Sequence, residues 1–513
     1  MATSLSRRKL LGSAGALSVG LGGLVTTVSA AETKQIKWDE TTGFLIIGTG
    51  FAGLAAALEA HKLGMKPNEI MVVDKMPSPG GNSIINGGAV TAAGTDMQKA
   101  AGIKDSPDLV YADIMKAGGG LAHPSLARRI ADECTENFYW LRDEIGVKFK
   151  AVTFHGGHSV PRSHAVTNNS GSGFILPMLE KLKEYGIQPR LRTIVDQIIV
   201  TEDRCVLGVK ARINYRFGRE NSGKVVYIRA TKGVLIASGG FANNVQMRMS
   251  HDPRLNEKFT STNHPGATGE MIQEAQEIGA NTIQMDWIQM GPWTSPDEMG
   301  FGLAPLFVES ALGYGPMIDP VTAKRFIQES GNRKVRADAI VAMGHPAVIY
   351  TTLKNAQTAI IGKNMTQELY DRAVKNGVIK VYKTLDEMAA DLKIPLDALK
   401  KTNDTFNSYI KAQKDPDFNC MMFKNAVPNV EGPFLAVRLW PRVHHCMGGL
   451  EINDNAQVLS VRGKPIPGLY AAGEVTGGVH GMVRLGTVAV ADCMIFGRVA
   501  ARTASKFLGC PKA

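Results

Sequence analysis

A glycine-rich turn placed between an apolar strand and a helix constrains this chain more than any other feature. The apolar stretch Gly43 to Gly48 runs into GTGFAG, the helical segment LAAALEAHKLG follows, and Glu69 to Asp74 (EIMVVD) reads as a second strand. Alone, a GxGxxG spacing is weak. Between strand and helix, with an acid about twenty residues on, it specifies a parallel α/β unit that cradles a dinucleotide. Gly48 and Gly50 permit the tight turn and close approach of a pyrophosphate, and Gly53 lets the helix pack on the sheet. Asp74 would accept from a ribose hydroxyl, and its carboxylate argues against a phosphorylated ribose. Phe51 and Ala52 in the turn, and Lys75 beside the acid, join the candidate contacts.

Two further glycine turns follow closely, Gly80-Gly81-Asn82-Ser83 and Asn86-Gly87-Gly88. They are unusual for a nicotinamide site and suit a loop folding over the pyrophosphate and ring of a flavin. From about 105 to 190 the pattern is mainly helical, interrupted by the loop HGGHSVPRSH. Residues 192 to 236 alternate in short strands, and GVLIASGGF returns to the parallel sheet with Ala237, Ser238 and Gly239 at its carboxyl end, where ligands collect. The last strand, LYAAGE, leads through a loop with five glycines between Gly473 and Gly486, carrying Glu474 and Arg484, into an apolar helix. Arg484 sits where a forked donor can hold a carboxylate. The expected fold is therefore α/β: a Rossmann-like dinucleotide-binding domain split in sequence (31–283 and 430–513), with an inserted α+β capping domain over 284–429.

The first thirty residues differ. Ser6-Arg7-Arg8-Lys9 precedes a short Gly/Ala/Leu run that ends at Val28-Ser29-Ala30. This reads as a twin-arginine export signal, cleaved after Ala30, which places the protein in the periplasm. No later segment has the apolar length of a membrane span, so a membrane-spanning protein is not expected. The formal net charge is +11, of which Arg7, Arg8 and Lys9 supply three. The excess is dispersed without a long basic run, so nucleic acid is not the expected partner; an anionic substrate or acidic redox partner is. The six cysteines form no CxxC and no CxxCH, so electrons must arrive from elsewhere, and metal ligation is not expected.

The ordered set GTGFAG, VVDK, GGNS, NGG, IASGGF, TNHPGATGE, HHCMGG and AAGEVTGGVHGMVRLG resembles the fumarate reductase/succinate dehydrogenase flavoprotein superfamily over about residues 43 to 505. The likeness is to its soluble periplasmic, flavocytochrome c fumarate reductase-like branch, with urocanate and methacrylate reductases as relatives and without a haem domain here. The resemblance implies non-covalent FAD, hydride transfer from reduced flavin to an activated C=C, and protonation of the neighbouring carbon. It adds Thr268, Gly269, Glu474, Arg484 and Val488 to the cofactor contacts. It implies a cytochrome c-type electron-donor subunit as partner. The stretch Lys324-Arg325-Phe326-Ile327-Gln328-Glu329 puts Arg333 in the role of proton donor, with Arg336 as the rival if the register slips. His445, in HHCMGG, and Arg484 match the groups that bind the substrate carboxylate, and Glu309 and Gln289 belong to the proton relay.

The departures bear on the substrate. Where the resemblance expects a histidine for a second carboxylate the chain has Gly291; the assisting threonine aligns with Val308, and the relay's further arginine with Leu312. An unpaired second carboxylate there would cost on the order of several kcal/mol. The expected substrate is an α,β-unsaturated monocarboxylate such as urocanate, methacrylate or a cinnamate-like acid, in a roomier, apolar subsite where Trp293, Phe307 or Tyr314 would stack on a ring. Three other readings remain open: a fumarate reductase proper, a dehydrogenase or oxidase such as a ketosteroid dehydrogenase, and an electron-transfer subunit without its own substrate.

Overall fold

The computed structural model of the protein describes residues 36–510, apart from 156 and 364. The export signal read from residues 1 to 30 lies outside the described residues.

Strand β1 (Glu40–Ile47) enters the turn, helix α1 (Phe51–Lys62) leaves it, and β2 (Ile70–Val73) returns parallel to β1 with Phe44 opposite Ile70 and Ile47 opposite Val73. Strand β3 (Lys224–Ile236) pairs in parallel on the other side of β1, Ile46 facing Leu235, and Pro465–Ala471 adds a further parallel strand, Leu469 facing Val234. The central strands are apolar on both faces because helices cover both, as parallel sheets require; Phe44, Leu45 and Ile46 are fully buried. A Cβ on Gly53 would come within 2.0 Å of the Gly48 carbonyl, and one on Gly48 within 2.2 Å of the Ala237 carbonyl. Only glycine lets helix, turn and the end of β3 approach this closely.

Two expectations for the middle of the chain need correction. The loop HGGHSVPRSH does not simply interrupt helices. It joins two antiparallel strands, Phe149–Thr153 and Ser163–Val166, and so is held by a small sheet. Residues Lys224–Ile236 form one 13-residue strand, not two; its first half pairs antiparallel with Val206–Ile213, and the second half pairs with β1.

The capping unit carries strand β4 (Ile288–Gly291), helix α2 (Ala304–Ala311) and helix α3 (Arg333–Met343). Its own four-stranded sheet runs in the order Met317–Ile318, Ala347–Thr352, Phe434–Leu439, Lys380–Tyr382. Because Phe434–Leu439 pairs inside that sheet, the unit extends past residue 429 to Leu439. Strand β4 pairs antiparallel with β5 (Arg442–Cys446), Gln289 opposite His445, and this ribbon joins the two units. Helix α4 (Val488–Lys506) ends the fold by packing along α1. Cys205 and Cys510, separated by 305 positions, form a disulfide that fastens the C-terminal segment to the dinucleotide-binding unit. Among the described residues, no helix is long and apolar enough to cross a membrane.

Candidate active site

The turn, the end of β3 and the start of the last loop line a partly open cleft. Gly48, Gly50, Phe51, Ala52, Asp74, Lys75, Gly81, Asn82, Ser83, Ala237, Ser238, Gly239 and Glu474 all line it. Gly50, at the N-cap of α1, offers no side chain, and the first turn holds no acid; the N–H groups left beyond that of Phe51 and the partial positive charge suit a pyrophosphate. Ser83 Oγ accepts from Phe51 N at 3.0 Å, tying the second glycine turn to the first. Asp74 accepts from Thr49 N (3.0 Å) and Thr49 Oγ1 (2.5 Å) through Oδ2, and from Met76 N (2.8 Å) through Oδ1. That leaves Oδ1 with acceptor capacity for a ribose hydroxyl. The hydroxyl of Ser238 is buried in the cleft wall without a partner. An elongated, glycine-lined cleft with an uncapped helix end, an acid and an orphan hydroxyl fits a flavin dinucleotide.

Several sequence expectations fall elsewhere. Gly53 packs the helix and does not line the cleft. Gly87 and Gly88 lead into the strand Ala89–Thr91, where Gly88 abuts the Ser170 backbone. Lys75 is paired with Glu270 at 2.8 Å and bonded to Thr268 Oγ1, so Thr268 and its neighbour Gly269 brace that lysine beside the cleft. Val488 opens helix α4 outside the cleft wall. Thr49 was missed, although its place inside GTG beside a distant acid is itself a signal.

Beyond the cleft, β4, β5, α3 and the last loop bring Gln289, Arg333, His445 and Arg484 together. Arg484 is 8% exposed. Its Nη2 donates to Gln289 Oε1 at 3.0 Å and its Nη1 to the Leu485 carbonyl at 3.2 Å, while Nε is buried without a partner. Gln289 returns a bond from Nε2 to the Arg484 carbonyl at 3.4 Å. Gln289 therefore holds the arginine in place and makes no bond to Glu309, a correction to its expected place in a relay. Burial, then the charge of Arg333, pushes the Arg484 guanidinium down to about 9. An arginine does not give up its proton readily, so the strain marks a site that gains by taking an anion.

His445 Nε2 is buried without a partner, and Nδ1 stands 3.6 Å from Glu474 Oε1. Burial first, then Arg484, holds this imidazole well below its ordinary value, so it is neutral at pH 7. Glu474 accepts from Cys446 N at 3.0 Å and from Asn82 Nδ2 at 3.3 Å, and burial raises its carboxyl above its ordinary value. It links the dinucleotide cleft to the carboxylate site.

Arg333 opens α3, behind the cap Asn332, and its Cζ lies 4.4 Å over the Trp293 ring. Burial lowers its guanidinium from the ordinary value, Glu309 opposes the shift, and Arg336 adds to it. Arg336, one turn along α3, is ion-paired through Nη2 with Glu309 Oε1 at 2.9 Å, and its Nε and Nη1 are buried without partners. Arg336 is thus the ion-pair partner of Glu309, and it supplies from α3 a cation that Leu312 cannot. Leu312 instead packs on the apolar core of the cap.

The subsite expected to be roomy is not. Val308 and Phe307 are fully buried in the core of the cap, and Tyr314 stacks on Phe423 at 4.9 Å, its hydroxyl on Asn425. Of the three aromatic residues only Trp293 reaches the site. His155, in the strand-held loop, was also missed; Arg333, His158, Glu309 and Arg484 all act on its charge, and burial lowers it to about 4. His158 Nε2 meets the Gly486 carbonyl at 2.8 Å, and fully buried Arg162 anchors the loop on Asp105 (2.9 Å) and Asp113 (2.5 Å). This network fixes the backbone just after Arg484.

A family model described as an FAD binding domain matches residues 44–490. The chain is 40% identical over 506 residues to the acrylate reductase flavoprotein subunit of Shewanella woodyi, covering 97% of this chain and 98% of that one. It is 34% identical over 471 residues to the urocanate reductase of Eggerthella lenta, covering 90% and 74%. Its fold superposes on the open conformation of a flavocytochrome c3 fumarate reductase with a TM-score of 0.77 at 31% identity, over 93% of this chain and 80% of that one. A 3-ketosteroid Δ1-dehydrogenase from Sterolibacterium denitrificans shares the fold alone, with a TM-score of 0.76 at 21% identity, over 91% of this chain and 100% of that one. The chain belongs to the FAD-binding flavoproteins of the fumarate reductase/succinate dehydrogenase superfamily. Within it, the protein is an FAD-dependent oxidoreductase acting on C=C bonds.

Proposed function

We propose that the protein is an exported reductase of the C=C bond of an α,β-unsaturated monocarboxylate, serving as a terminal acceptor in respiration and fed by a c-type cytochrome subunit. The observation that carries this reading is the donor set around the site. Arg484 Nε, His445 Nε2 and Arg336 Nε and Nη1 are all buried without partners, and unsatisfied donors of this number require an acceptor. A neutral ketosteroid supplies carbonyl oxygens but no anion to balance buried guanidinium groups, which argues against a ketosteroid dehydrogenase. At position 291 a second carboxylate would meet no side chain but the neighbouring Trp293 indole, which argues against fumarate. An electron-transfer subunit would have no use for the donors.

Bound FAD supplies the hydride. Arg484 and His445 hold the carboxylate and draw electron density from the double bond, so the β-carbon becomes electrophilic. Arg333 gives a proton to the α-carbon, where negative charge develops, and its own charge stabilises that developing carbanion. Glu309, with its carboxyl 38% exposed, returns a proton to Arg333 from solvent, while Arg336 holds the carboxylate in place. The Cys205–Cys510 disulfide supports an oxidising compartment, in accord with the export signal. The surplus of positive charge suits an acidic donor protein.

The test is a dye-linked screen. FAD-loaded protein, chemically reduced through a viologen dye, should be reoxidised by acrylate-type acids and only weakly by fumarate. Fast turnover of fumarate, or of no acid at all, overturns the reading.

A further inference from the structure

We infer that the indole of Trp293 closes the distal end of the substrate site, so that this protein selects acids of acrylate size and refuses tails carrying a ring. The inference rests on the monocarboxylate reading and narrows it. A side chain is absent at Gly291, yet no void follows. An ideal Cβ at Gly291 would lie 3.3 Å from Cε2, 3.4 Å from Cζ2 and 3.5 Å from Nε1 of Trp293. The indole occupies the space that a residue-291 side chain would enter.

Five neighbours hold it there. Arg333 Cζ sits 4.4 Å over the ring, and the His444 ring meets it edge-on at 5.5 Å and 81°. Phe307, Val308 and Ala304 pack with it in the buried core of the cap. Trp293 is 2% exposed, so turning the ring aside means both losing the cation–π contact and opening the core. His444 is itself fixed by its Nδ1 to Thr262 Oγ1 contact at 2.8 Å. The wall is therefore rigid, and it stands against the arginine assigned to the proton transfer. An imidazole or phenyl tail on the β-carbon would have to share that volume. A hydrogen or methyl group would not. The indole Nε1 is buried without a partner, but a single neutral donor cannot replace the cationic partners that a second buried carboxylate needs. The same residue thus rejects both large tails and dicarboxylates.

The test compares kcat/KM for acrylate, crotonate and cinnamate, whose β-carbon carries hydrogen, methyl and phenyl, in the FAD-loaded full chain, as wild type, Trp293→Ala and Trp293→Phe. The wild type should prefer acrylate to cinnamate by about a hundredfold or more, the size of discrimination that steric exclusion by a packed wall delivers. Trp293→Ala should lose at least about tenfold of that ratio and Trp293→Phe less, whatever happens to absolute rates once Arg333 loses its stacking partner. If Trp293→Ala does not retain FAD, Gly291→Ala answers the same question. Its Cβ crowds the indole, so crotonate, whose methyl group is on the β-carbon, should fall relative to acrylate. Equal use of cinnamate and acrylate by the wild type, or an unchanged ratio in the folded variants, overturns the inference alone. Failure of every acid with every variant overturns the monocarboxylate reading, and this one with it.

Discussion

Replacing Arg484 by lysine keeps a positive charge in name and should still disable the site. In the structure the guanidinium does two jobs at once. Nη2 is committed to Gln289 Oε1 at 3.0 Å and Nη1 to the Leu485 carbonyl at 3.2 Å, which leaves the Nε edge for a carboxylate. A lysine ammonium at this position cannot both keep Gln289 and present a fork. Losing one charge-assisted bond costs about 1.5–3 kcal/mol, or roughly 10- to 150-fold in kcat/KM. A second penalty comes from the site's electrostatics. Burial and Arg333 bring arginine from 12.5 down to about 9. The same burial and the charge of Arg333 push a lysine ammonium, less basic than a guanidinium to begin with, below its ordinary range. The residual kcat/KM of Arg484→Lys should therefore fall as pH rises, more steeply than that of the wild type. Dye-linked kinetics with acrylate across a range of pH, with FAD content checked by absorbance, measure both effects. A variant within about twofold of wild type at every pH, or a low but flat profile, would refute the reasoning about the fork or about the field respectively.

Arg333→Lys should retain FAD and lose about 10²- to 10⁴-fold in kcat, the usual contribution of a positioned acid; a near-normal rate would move the proton donor elsewhere. Arg336→Leu should cut kcat by about 5- to 150-fold with little change in KM, because it frees the Glu309 carboxylate from its ion pair. Arg336→Lys should restore most of that loss, and a purely structural role would show no such rescue and a matching loss of FAD. His164 is fully buried, bonded to Thr95 Oγ1 at 2.8 Å and the Arg162 carbonyl at 3.0 Å, and burial lowers it to about 4. The unfolded chain binds that proton near pH 6.5 and the folded one only near pH 4, so stability is present above about 6.5 and declines as pH falls toward 4, by up to ~3 kcal/mol. The melting midpoint of His164→Gln should depend less on pH over that window than that of the wild type. Cys205→Ser should lower the melting midpoint without affecting FAD content, since the disulfide closes a 305-residue separation remote from the cleft.

The dinucleotide unit was legible because backbone geometry there demands residue types that sequence displays. Gly48 and Gly53 sit where any Cβ would collide with a carbonyl, and an acid ends β2, so the spacing alone carries strand, turn and helix. The small sheet holding the HGGHSVPRSH loop was not legible. Its strands are only five and four residues long, too short to display a period of two, and pairing with Ala89–Thr91 depends on contacts distant in sequence. The end of the capping unit was misplaced for a similar reason. Phe434–Leu439 is an apolar run that suits either sheet, and its pairing with Ala347–Thr352 decides the matter.

At the site, sequence announces which charged groups are present but not what they are bonded to. Gln289 and Glu309 both look like relay members in sequence; in space Gln289 grips Arg484, while Glu309 pairs with Arg336 and keeps a partly exposed carboxylate. The loss of an arginine at Leu312 reads in sequence as an interruption. In space it is offset by Arg336, which occupies a different helix and reaches the same carboxylate. Gly291 is the sharper case. A missing side chain suggests room, yet close-packed interiors do not keep room open, and the nearest bulky neighbour in the chain, two residues on, has filled it. What a deletion at one position does to substrate choice is therefore set by the residue that moves in. Here that residue is an indole packed between Gly291 and Arg333.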